Sequence, residues 1–224
     1  LDGLQANSGN NQVLTITVDD AMTGSAGVTS LNAIAASTSG TVTAAAVSGN
    51  SADLASLTAS GTSATQAYTI TVDDATTADN GAAIAAATTA TTVDFSAAGV
   101  SDSFAELTNG TAVSAEMQAI DAKDANVNVT VSDADLGLAT ADNVTALNAL
   151  MSATTGTITA TVNGNSAILG ALQATGTGGN TQTLTIVVND ATTADNGAAI
   201  AAATGAGTVD FSAGGVSDSF AELT

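Results

Sequence analysis

Apolar and polar residues alternate with a period of two in short stretches that recur along the chain. Leu14, Ile16 and Val18 alternate with Thr15 and Thr17, Tyr68, Ile70 and Val72 with Thr69 and Thr71, and Val93 and Phe95 with Thr92 and Asp94. Successive side chains of a strand point to opposite faces, so each stretch predicts a strand with one buried and one wet face. LTITVDDA (14–21) returns as YTITVDDA (68–75), VNVTVSDA (127–134) and LTIVVNDA (184–191). Between them lie TVTAAAV from Thr41, TVDFSAA from Thr92, TITATVN from Thr157 and TVDFSAG from Thr208. Strand starts are thus predicted near 14, 41, 68, 92, 127, 157, 184 and 208, a spacing of about 27 residues. Ala- and Leu-rich runs with polar starts predict helices over 29–37, 51–59, 78–88, 101–108, 113–123, 141–153, 166–174, 194–204 and 217–223.

The chain also repeats at a longer interval. Residues 72–108 and 188–224 differ at four of 37 positions, an offset of 116, and 28–43 matches 144–159 at the same offset. This divides the chain into the end of a preceding repeat (1–13), a first long repeat (14–125, sub-repeats 14–67 and 68–125) and a second, truncated one (126–224, sub-repeats 126–183 and 184–224). The first carries an additional helix-like segment, SAEMQAIDAK, at 114–123. LDGLQA at 1–6 matches ILGALQA at 168–174, so both ends are expected to fall inside repeat units of a longer array. Self-similarity at such intervals marks solenoids and repeat arrays. Strands joined through helices are expected to be parallel. The expected fold is therefore α/β, a β/α solenoid of about eight strand–helix coils with a parallel sheet. The alternative is tandem compact α/β domains of about 116 residues. The wet Thr positions favour the solenoid, because parallel strands covered on both faces read as continuous apolar runs, and only Ile186-Val187-Val188 does so here.

Composition narrows the chemistry. The 224 residues are 45% hydrophobic but 2% aromatic, with no Cys or His, so catalysis on imidazole or thiolate, the usual zinc sites and disulfides are excluded. One basic residue, Lys123, stands against 21 acidic ones for a net charge of −20, which argues against nucleic acid and anionic membranes as partners. It also leaves a single site for trypsin, and resistance to that protease is expected. Apolar stretches such as Ala82 to Ala87 are too short to insert in a bilayer. The abundance of small apolar residues predicts a thin, Ala-filled interior.

The candidate site residues are carboxylates at strand ends: Asp19, Asp20, Asp73, Asp74, Asp133, Asp135 and Asp190. Hard cations need several oxygen ligands at one point, and stacked columns of Asp could supply them to Ca²⁺. The competing role is structural, with Asp closing a strand in an Asx-turn and capping the next helix, and no EF-hand loop or glycine-rich nonapeptide is present to favour calcium. Asp79-Asn80, Asp142-Asn143 and Asp195-Asn196 carry the same ambiguity, with capping favoured. The wet Thr pairs 15/17, 41/43, 69/71 and 157/159 could form an array matching ice or a crystalline polysaccharide, but Asp94, Asn128, Val187 and Asp210 interrupt it. Asp94 and Asp210 could in principle act in polysaccharide cleavage, yet they occupy equivalent places in near-identical copies, which is the mark of scaffold. The chain is expected not to be an enzyme and to require no cofactor.

LTITVDDA, LNAIAASTSGTVTAAAV (31–47), GNSADLASL (49–57) and ADNGAAIAAAT (78–88, 194–204) together resemble the Ala/Thr/Asp-rich tandem repeats of giant secreted surface or matrix proteins of bacteria, especially marine cyanobacteria. The likeness covers nearly the whole chain and carries over no catalytic residue. It implies an extracellular or cell-surface location, one-step secretion, and a structural or adhesive role in a filament or matrix. The expected partners are neighbouring copies of the array or filament subunits, with surface glycans as a further candidate, and the runner-up function is a calcium-dependent adhesin segment.

Overall fold

The computed structural model describes residues 13–219, in two compact units: residues 13–100 with 119–124, and residues 101–118 with 125–219. The first contains β1 (Ile16–Val18), β2 (Met22–Thr23), α1 (Gly24–Ala36), β3 (Thr41–Gly49), α2 (Ser51–Leu54), β4 (Thr65–Val72), α3 (Ala78–Ala86) and β5 (Val93–Asp94). The division falls at β6 (Val100–Asp102), after which come α4 (Phe104–Leu107), the short antiparallel pair β7 (Thr108–Asn109) and β8 (Ala112–Val113), and α5 (Ala115–Asp121), which both units share. The second unit continues with β9 (Val129–Val131), β10 (Leu136–Leu138), α6 (Ala141–Ala153), β11 (Thr157–Gly164), α7 (Ser166–Leu169), β12 (Thr181–Val188), α8 (Ala194–Thr204) and β13 (Thr208–Asp210).

Each main sheet follows chain order. In the first, β1, β3, β4 and β5 lie side by side, and every adjacent pair is parallel. In the second the order is β6, β9, β11, β12, β13, with β9 through β13 parallel. The fold is α/β with parallel sheets, each strand passing through a helix or turn to the strand beside it. Three features enforce that path. Short helices pack against the buried sheet face through Leu31, Ile34, Leu54 and Ile84 in the first unit and Leu147, Leu150, Leu169 and Ile200 in the second. Thr77, Thr140 and Thr193 accept the amides of Asn80, Asn143 and Asn196, capping α3, α6 and α8. Gly40 and Gly156 enter β3 and β11 so close to the preceding strand that a Cβ there would overlap the carbonyl oxygens of Leu14 and Val127.

Strand positions follow the sequence pattern closely, with β3, β11 and β13 starting at Thr41, Thr157 and Thr208. β4 and β12 begin three residues earlier than the alternation suggests, at Thr65 and Thr181. The reason is polar: Gln66 and Gln182 occupy inward positions and are fully buried. Gln66 Nε2 donates to the Thr58 carbonyl at 3.2 Å, satisfying one of its groups inside the coil. Helices expected over 51–59 and 166–174 contract to α2 and α7, because tighter i→i−3 bonds take over at Ser56, Leu57, Ala171 and Leu172. The helix expected over 217–223 is absent at residues 217–219, and the remainder lies outside the described residues.

The interior is not the Ala-filled layer that composition suggests. Val, Ile and Leu make up most of the buried apolar set, with Tyr68 and Phe95 its largest fully buried members. Many alanines instead lie exposed, as at 86, 198, 201 and 202 on or beside helices, where a small side chain favours the helix without entering the core. Full burial of a Val, Leu or Ile contributes roughly 1.5–3 kcal/mol, so these branched residues dominate the cohesion of each unit's core.

Candidate functional site

Several strand-end carboxylates accept backbone amides at helix starts elsewhere in the chain. After β4, Asp74 Oδ1 accepts the amide of Ser51, the first residue of α2 in the preceding coil, at 2.6 Å. After β12, Asp190 Oδ1 accepts the amide of Ser166, the first residue of α7, at 2.7 Å. After β9, Asp133 Oδ2 accepts the amide of Phe104, the first residue of α4, at 2.6 Å. Asp218 Oδ2 does the same for Ala194 at the start of α8, at 2.9 Å. In each case an acid 23 to 29 residues later in the chain closes a helix start in the coil before it. The first amides of a helix lack intrahelical acceptors and carry partial positive charge, so a carboxylate there makes a strong, charge-assisted bond. Ser51 and Ser166 return the contact, their hydroxyls donating to the Ala75 and Ala191 carbonyls at 3.3 Å.

The remaining predicted residues are placed differently. Asp135 Oδ2 accepts from Asn163 Nδ2 at 2.5 Å, while Asp19, Asp20 and Asp73 lie exposed at strand ends. Among the described residues no three acidic side chains come together in a group able to hold a metal ion. Asp94 and Asp210 each close an Asx-turn, accepting the amides of Ser96 and Ser212 at 2.9 and 2.8 Å. Hydrogen bonds from the hydroxyl and amide of Ser96 hold the Asp94 carboxyl below its usual range, and Ser212 acts likewise on Asp210. Burial, with repulsion from Asp124, pushes Asp121 upward.

Two sets of bridging side chains are not evident from motif reading. Thr38 Oγ1 accepts the amide of Leu14 and donates to its carbonyl, both at 2.8 Å. Thr88 makes the same pair of bonds to Tyr68, and Thr154 donates to the Val127 carbonyl at 2.7 Å. Each threonine also accepts the amide two residues on, so one hydroxyl fixes both a turn and the edge of the neighbouring strand. Asn32 and Asn148 span coils in a second way. Their side-chain nitrogens donate to the Ser56 and Ala171 carbonyls, and their oxygens accept from the amides of Thr58 and Gln173, all at 2.8 to 2.9 Å. The signal was present in the recurring T-[ST]-[GA] turn and in LNA at 31–33 and 147–149, but only the register shows what these groups face.

On the wet face, register sets threonines in rows. Thr130, Thr159 and Thr183 align, as do Thr161, Thr185 and Thr208. In the first unit the corresponding rows are broken, Thr17 and Thr43 running into Ala67, and Ser48 and Thr71 into Asp94. A pocket of about 200 Å³ in the second unit, walled by Gly137, Leu138, Asn163, Asn165 and Asn189, offers amides but no ionisable group.

These features define an α/β chain with parallel sheets, in which polar side chains join helix starts and turns to segments 23 to 30 residues away. Compared with protein-family models, with curated proteins and with solved structures, the chain matches none.

Proposed function

We propose that this chain is a structural segment of a repetitive extracellular surface protein, filament or matrix fibre, its coils stacked as a β/α solenoid. The observation that carries the reading is the use of the recurrent carboxylates. Asp74, Asp133 and Asp190, the residues whose spacing suggested calcium, each accept a helix-start amide of the preceding coil. A group already engaged in joining coils at each repeat is a building element, and near-identical copies of one surface suit a scaffold better than a unique catalytic centre. The acidic, cysteine-free composition and the resemblance to secreted repeats support an extracellular setting, with neighbouring copies of the array as partners.

Electron microscopy of the isolated chain tests the stacking, with elongated particles expected and compact spheres counting against it. Chelation tests the adhesin reading. EDTA is expected to leave the melting temperature unchanged; a fall restored by added calcium would favour a calcium-dependent segment instead.

A further inference from the structure

At the carboxyl ends of β10, β11 and β12, the second unit holds the pocket of about 200 Å³. Gly137 and Leu138 reach it from β10, Asn163 and Gly164 from β11, and Asn165 and Asn189 from the residues just after β11 and β12. A further strand, β13, lies beyond β12, so the pocket is not at the edge of the described sheet. The carboxyl ends of parallel strands are where open α/β sheets take their ligands.

The polar lining consists of amides that hold little else. Asn163 Nδ2 donates to Asp135, which fixes that side chain and leaves Asn163 Oδ1 facing no donor. The side chains of Asn165 and Asn189 make no hydrogen bond among the described residues. Asp190, next in the chain, takes the structural role by accepting the Ser166 amide, so Asn189 is not needed for it.

The first unit builds the same strand ends with different chemistry. Thr23 pairs with Ser48 in the register that sets Gly137 beside Asn163, so threonine and serine stand where the second unit has glycine and asparagine. Asn50, the counterpart of Asn165, accepts the Asp53 amide and donates to the Asp53 carboxylate, both at 2.8 Å. Ile168 replaces Asp53 and Asn189 replaces Asp73, which removes both charges and releases the Asn165 side chain. Neither backbone nor packing explains Gly137: its φ is not positive, and an added Cβ would meet only Asn163 Oδ1, at 3.7 Å. Glycine weakens a strand, and such a position marks a place where another group comes close.

We propose that this pocket binds a neutral pyranose sugar. The asparagine amides present both donors and acceptors, which suits ring hydroxyls that also do both. Buried Leu138 offers an apolar wall to the C–H face of the ring. The volume lies below the roughly 300–1,000 Å³ of pockets that enclose drug-sized ligands, which limits the occupant to a single ring. Asp135 and the net charge of −20 weigh against an acidic sugar. Sugar binding here goes beyond the structural role and does not depend on it.

The test titrates glucose, galactose, mannose and N-acetylglucosamine separately into the isotope-labelled full chain and follows backbone and asparagine side-chain amides by NMR. Saturable shifts at 137–139, 163–165 and 189 are expected with at least one of these sugars, in the millimolar range that so small a ligand reaches. Glucuronate should bind more weakly than glucose. Gly137→Thr, which installs the residue of the first unit and fills the pocket, should abolish the shifts. Asn165→Ala should weaken binding about tenfold while leaving the melting temperature unchanged, because that side chain caps nothing. No saturable shift with any of these sugars, the same shifts with calcium chloride alone, glucuronate binding as tightly as glucose, or binding undiminished in both variants would each overturn the proposal. Such a failure leaves the stacked reading standing, since particle shape tests that separately.

Discussion

The coils at 72–100 and 188–216 differ in burial far more than in sequence. Both pass from a parallel strand through an aspartate and a Thr-capped helix to a second short strand. What differs is the neighbour: the first has residues 119–124 against it, and its Phe95 is buried where Phe211 is half-exposed. The helix ends differ too. α3 stops at Ala86, whereas α8 runs to Thr204 and ends on Gly205 at φ 62°, a conformation that the Thr89 of the first copy would strain to adopt. Local structure thus follows from each coil's own residues, while its core is completed by an adjacent segment.

The largest expected effect tests that division of labour. Phe95→Ala should lower unfolding free energy in urea by about 3–5 kcal/mol, the range for a fully buried aromatic. Phe211→Ala, removing a side chain already half in water, should lower it by about 1 kcal/mol or less on burial grounds. Equal losses would break the comparison. A smaller effect concerns the carboxylates. Asp74→Ala removes an inter-coil cap and should cost about 1 kcal/mol. Asp73→Asn, which merely copies the residue of the second repeat, should change stability by less than about 0.5 kcal/mol.

Tyr68 sharpens the comparison at the strand, since Leu184 holds its place in the second copy. Its hydroxyl is buried without a partner, and burial pushes its pKa up to about 12. It is the single tyrosine of the chain, so phenolate absorbance should titrate near that value and not near 10. The unfolded chain ionises first, so stability is retained below about pH 10 and falls as pH rises toward 12. The smallest effect is at Asp121, in the segment that packs on the first copy. Its folded carboxyl is raised, so the ionised form opposes folding at neutral pH. Asp121→Asn should raise the melting temperature at pH 7, with the difference shrinking as pH falls through the carboxylate range; an opposite sign would contradict the assigned burial.

Much of the fold is visible in the sequence because strand alternation and Thr or Ser caps are local signals. The Thr15/Thr17 and Thr157/Thr159 patterns lie at β1 and β11, and α6 and α8 occupy their expected ranges. The misses have a common cause. Gln66 and Gln182 sit where an apolar residue is expected, and only their burial identifies them as part of the strand. The site was half legible: recurrence picked out Asp74, Asp133 and Asp190, but their partners lie 23 to 29 residues earlier, a distance no local motif spans. Thr38, Thr88 and Asn148 were hidden for the same reason.

Hydrogen exchange tests most directly the claim that Asp74, Asp133 and Asp190 fasten helix starts 23 to 29 residues earlier in the chain. The amides of Ser51, Phe104 and Ser166 should be strongly protected in the native chain, and Asp74→Ala should release Ser51 while leaving Phe104 and Ser166 slow. Rapid exchange at these amides in the native chain, or a Ser51 that stays protected in the variant, would contradict it.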